Sequence, residues 1–175
     1  MWYAKFNKSI ESGLAKAAQA RRTSFPHFAK SALRASPFVR KMFSAHGVSF
    51  TELARLEIIV DDLPDSCSAF DGERIVIDRK TVAQGYDAAM PFLIHELMHF
   101  LTDKAEDADY FSDPEERRAL VWSIAYRLQH GVELDQIDQE FRPLVEPHCD
   151  SPSEASLILL RAARRAYKLL GLLKR

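Results

Sequence analysis

The chain has 175 residues, 47% hydrophobic and 28% charged, with a formal net charge of −1. That length holds one sizeable core and leaves little room for a second. A near-neutral chain has no global pull toward nucleic acid or an anionic membrane.

The charge is unevenly placed. Residues 1–50 carry nine Lys/Arg against one Glu (+8), residues 51–120 seven basic against seventeen acidic groups (−10), and residues 121–175 eight against seven (+1). The basic N-terminal third and basic C-terminal end are either solvated surface or a face for a protein or nucleic-acid partner. Cys67 and Cys149 lie far apart and outside any CxxC or CxH spacing. Neither a disulfide framework nor a thiolate metal site is expected, and the chain reads as cytoplasmic, from a reducing compartment. No apolar run approaches the roughly 20 residues of a membrane span.

In chain order, residues 4–20 have a helical stripe through Ile10, Leu14, Ala17 and Ala18, broken at Phe25-Pro26. A shorter helix is expected over 27–35. Ser36-Pro37 reads as an N-cap followed by proline at the first helical position, for a helix stopping at Gly47. After a helical turn over 49–54, Leu56-Glu57-Ile58-Ile59-Val60 and Arg74-Ile75-Val76-Ile77-Asp78 read as strands. Between them, 61–73 reads as a loop, and antiparallel pairing is allowed though not forced. Residues 81–87 read as irregular or a single helical turn, 88–103 as a helix, and 104–113 as an acidic loop.

Asp113-Pro114-Glu115-Glu116 starts a helix well, with Asp as N-cap, Pro at N1 and carboxylates in the first turn. It should run to His130 and end at Gly131. A short helix is expected over 134–141. A last helix, about 154–172, carries Leu157, Leu160, Ala163, Tyr167, Leu170 and Leu172 as an apolar stripe for the core. The sum is an α+β fold dominated by helices, with a small sheet packed on the helix over 88–103. It forms one domain: a basic helical region over 1–50, a core over 56–130 and a helical region over 131–175.

His95-Glu96-Leu97-Met98-His99 fits HExxH. Positions i and i+4 of a helix lie about 40° apart and about 6 Å along the axis, so both imidazoles reach one cation. Glu96 projects from the same turn, where it can take a proton from a water the cation activates. Zinc suits neutral imidazole nitrogen. By chance the pattern arises in roughly one chain in seventy of this composition. The apolar neighbours Phe92, Leu93, Ile94, Leu97, Met98 and Leu101 put the motif on a packed helix, where three polar groups need partners.

A catalytic zinc site usually has three protein ligands. No third His follows at the metzincin spacing, and the following segment is rich in carboxylates. Glu115 and Glu116 both open the next helix. Glu116 aligns with Leu120, Ser123 and Ile124, Glu115 with Ala119, Trp122 and Tyr126, and periodicity does not separate them.

A strand, an HExxH helix and a Glu on the following helix resemble the gluzincin class of zinc metallopeptidases, and within it the minigluzincins and ImmA/IrrE-like proteins. The resemblance covers residues 56–130. Gluzincins often carry the ligand Glu in Glu-x-x-Ala; Glu116-Arg117-Arg118-Ala119 fits, which implies His95, His99 and Glu116 as zinc ligands. The implied activity is hydrolysis of a peptide or protein substrate, with Glu96 as general base. Strand 74–78 would occupy the place of the substrate-aligning edge strand; as an edge it would pair with an extended peptide, as an internal strand it would only fill the sheet. Tyr110, Tyr126, His130 and His148 are candidate donors to the developing oxyanion, Tyr110 foremost because its loop joins the two ligand helices. Asp103, four residues after His99, is a candidate to orient an imidazole. The other reading is a zinc-containing regulator without catalysis, engaging protein or nucleic acid through its basic terminal helices.

Overall fold

The computed structural model describes residues 24–64, 66–102 and 113–173. The expected helix over 4–20, Asp103 and Tyr110 lie outside the described residues. Helix α1 (Phe25–Ala35) includes Pro26 in its first turn, where the missing N–H costs nothing. Helix α2 (Pro37–Ala45) starts as the sequence predicts: the Ser36 hydroxyl accepts from the Val39 N–H at 3.3 Å. A single 3₁₀ turn, Phe50–Ala54, leads into the sheet.

The sheet has three strands, β1 (Glu57–Asp61), β2 (Ser68–Phe70) and β3 (Arg74–Asp78), in the order β1-β3-β2. Two sequence expectations change here. The segment over 61–73 is not all loop, because β2 lies within it. Consequently β1 and β3 run parallel, from Glu57↔Arg74 to Asp61↔Asp78, since the chain reverses twice between them. Strand β3 is internal, not an edge. The edges are β1 and β2, and β2 pairs antiparallel with β3 as Ser68↔Ile77 and Phe70↔Ile75. The tight link between β2 and β3 places Gly72 at φ +95°, a region only glycine enters freely. The Asp71 carboxylate accepts from the Glu73 and Arg74 N–H groups across that turn.

Helix α3 (Arg79–Ala83) follows β3 directly and begins two residues before the irregular stretch or helical turn expected over 81–87. Asp78 caps it, its carboxylate accepting from the N–H groups of Lys80 at 2.9 Å and Thr81 at 3.2 Å. Helix α4 (Tyr86–Thr102) is the centre of the molecule, buried almost all round. It packs against β2, β3, α3 and helix α5 (Pro114–Gln129). Ile75, Ile77, Phe70 and Ser68, buried on the sheet, lie toward it, and Phe70 meets Phe100 edge-on at 6.1 Å between centroids.

Helix α6 (Leu134–Val145) runs one turn past its expected end, through Pro143. Helix α7 (Pro152–Leu173) packs on α5 and α6. Its buried side chains are Ala155, Leu159, Ala162, Ala163 and Ala166, while Leu157, Leu160 and Tyr167 are exposed. The expected stripe is therefore displaced around the helix. Alanines let two helix backbones approach closely, so the inward face is the one with small residues. No described helix is long and apolar enough to cross a membrane.

Candidate metal centre

The HExxH segment sits in the second half of α4, and Glu116 in the first turn of α5. The Asp113 carboxylate caps α5 by accepting from the Glu115 N–H at 2.8 Å, which fixes where that turn begins. The 4-residue spacing stacks the two imidazoles, with centroids 5.1 Å apart. Glu116 bridges them. Its Oε2 is 3.0 Å from His95 Nε2 and its Oε1 3.2 Å from His99 Nε2. One ligand atom from each of the three residues lies within 4.8 Å of the others, and all three residues are buried. Such a group can hold a metal ion. Glu115 lies one position round the helix and pairs with exposed Arg118 at 2.8 Å.

The electrostatics follow from burial and neighbours. Burial pushes the Glu116 carboxyl up, but the hydrogen bonds and charges of His95 and His99 outweigh it, and the pKa falls to about 2. Burial pushes Glu96 above the usual carboxyl range, offset in part by His95 and by a hydrogen bond from Ser68. Glu96 is 1% exposed. Its Oε1 accepts from the Ser68 hydroxyl at 2.6 Å, and its Oε2 has no partner. His95 and Glu96 border a cleft whose polar side is Ser66 and Ser68 and whose apolar side includes Phe92, Phe141 and Leu144.

Tyr126 and His130 lie away from this cluster. Tyr126 lies ten residues beyond Glu116 on a straight helix, about 15 Å along the axis, and stacks on His130 with centroids 4.2 Å apart. His130 Nδ1 bonds the Tyr126 carbonyl oxygen at 2.7 Å. His148 is exposed beyond α6. Ser68 was missed by sequence reasoning. Its signal was Asp71-Gly72 before a strand, since a tight turn of that kind implies a partner strand on its other side. Comparison with known proteins finds no match to a family model, a curated protein or a solved structure.

Proposed function

We propose that this chain is a zinc-dependent metallopeptidase of gluzincin type. The observation that carries the reading is the buried cluster of His95, His99 and Glu116 with Glu96 beside it. Two imidazoles and one carboxylate suit zinc, and a three-ligand set leaves a position for substrate or water. The unpartnered Oε2 of Glu96 is a buried acceptor that a proton donor in the site would satisfy.

When bound, zinc polarises the scissile carbonyl and lowers the pKa of water to about 7. The chain's own groups do the rest. His95, His99 and Glu116 hold the ion. Glu96 takes the proton of the attacking water on Oε2 and delivers it to the departing amine nitrogen. A peptide or protein segment would have to reach His95 and Glu96 from the cleft they border.

The test is metal analysis of purified protein followed by assay of Glu96→Gln on a mixed peptide library. Stoichiometric zinc is expected in both proteins, with cleavage in the wild type only. Failure to bind zinc on reconstitution, or equal cleavage by Glu96→Gln, overturns the reading. A second reading has one observation in its favour: α7 exposes Leu157, Leu160 and Tyr167 among Arg161, Arg164, Arg165 and Lys168. A zinc-holding regulator would use that face to bind a protein or nucleic acid. Salt-sensitive partner binding, unchanged in Glu96→Gln and without cleavage by the wild type, would favour it.

A further inference from the structure

We infer that Ser68 is a positioning residue that orients Glu96 by anchoring one carboxylate oxygen and leaving the other for the reacting proton. The inference rests on the peptidase reading above and adds to it a residue from a different element, 28 positions away in sequence.

The terminal χ3 of a glutamate turns broadly, without sharp wells. A base at a reacting centre must nonetheless present one oxygen in one place. On α4 the backbone is fixed, but nothing in the helix itself sets the carboxylate plane. The Ser68 hydroxyl supplies that constraint. It donates to Oε1 at 2.6 Å, inside a region where both residues are buried, Ser68 6% and Glu96 1% exposed. The hydroxyl is the donor and Oε1 the acceptor. The second oxygen, Oε2, is buried without a partner.

The hydroxyl is itself held. Ser68 pairs with Ile77 on β3, so its side chain is directed to the α4 face of the sheet. The Ser66 hydroxyl donates to the Ser68 carbonyl oxygen, and the Ser68 N–H lies 3.2 Å from Ser66 Oγ. The Cys67 carbonyl accepts from the Asp78 N–H at 2.9 Å. The chain entering β2 is thereby pinned at Ser66, Cys67 and Ser68, which places one hydroxyl against Glu96. Of the described residues, Ser68 is the one with a hydrogen bond to that carboxylate.

The test uses full-length protein loaded with Co2+, whose visible bands report binding of acetohydroxamate, a small chelator whose proton a neighbouring carboxylate accepts. Four proteins complete a double-mutant cycle: wild type, Ser68→Ala, Glu96→Ala and the double variant. Co2+ stoichiometry should be the same in all four, since Ser68 touches none of the three ligands. Acetohydroxamate affinity should fall about tenfold in Ser68→Ala and further in Glu96→Ala. In the double variant, Ser68→Ala should add nothing to the loss already caused by Glu96→Ala. A merely structural role would weaken binding equally in both backgrounds, and that result overturns the inference. So does wild-type affinity in Ser68→Ala when Glu96→Ala is weakened. Absence of Co2+ binding in the wild type, or no effect of Glu96→Ala, instead overturns the underlying reading, and the inference with it.

Discussion

Two adjacent glutamates open helix α5, and the fold treats them differently. Glu116 turns inward to His95 and His99, and Glu115 pairs with Arg118 near the surface. Removing the charge from a ligand should cost more than the 10–100-fold typical of an outer partner. Glu116→Gln is thus expected to weaken zinc binding by more than about a hundredfold. Glu115→Gln breaks only a surface pair and should change it less than about threefold. Competition with a chromophoric zinc chelator measures both, and the reverse order would assign the ligand to Glu115. The histidine pair was legible because the spacing itself dictates the geometry. Periodicity left the choice between the glutamates open, because Ala119 and Trp122 on one face are buried as fully as Leu120 and Ile124 on the other, and only the resemblance of Glu116-Arg117-Arg118-Ala119 to Glu-x-x-Ala favoured Glu116. Only the direction in which α5 crosses α4 decides it, and that is a tertiary fact.

At the level of elements, caps were read more reliably than sheet order. Ser36-Pro37 and Asp113-Pro114 mark their helices because the capping oxygen and the proline act within one turn. Strand β2 has three residues, too few to show a period, and its existence reverses the relation of β1 to β3. The same locality made the junction at Asp78 invisible. That carboxylate ends β3, caps α3, and accepts from the Leu63 N–H at 3.1 Å.

Burial alone would push the Asp78 carboxyl up. The N–H groups of Leu63, Thr81 and Lys80, with the Lys80 charge, outweigh it and hold the pKa below 3.8. A depressed native pKa means the unfolded chain takes up the proton first. The stabilisation is therefore complete above the unfolded value, near 4, and is lost as pH falls through the native one. Asp78→Asn turns an amide NH2 toward N–H groups that both carboxylate oxygens now accept from; it should cost about 1–3 kcal/mol at pH 7, and its gap from the wild type should shrink at each step below pH 4. Urea unfolding of metal-free protein from pH 7 downward checks this. A gap constant with pH would mean that the charge of Asp78 contributes nothing.

For the whole molecule, the centre joins elements that fold apart in sequence. His95 and Glu116 are separated by 21 residues and brought together only when α5 lies on α4. An ion held by both helices binds the folded chain and not the unfolded one. Zinc at a hundred times its Kd then adds about 2.7 kcal/mol, which for a chain of this size raises Tm by roughly 5–10 °C.

The cluster of His95, His99 and Glu116 lies at one end of α5. Further along the same helix, Phe38 of α2, 1% exposed, meets Trp122 edge-on at 5.3 Å. Phe38→Ala should cost about 3–5 kcal/mol. Because Phe38 touches none of the three ligands, the increment from zinc should persist in that variant. Thermal scans of both proteins, with zinc and with chelator, separate the two contributions. If Phe38→Ala also abolished the zinc increment, the site and the middle of α5 would be one cooperative unit, and the site would be assembled by the core packing beyond it.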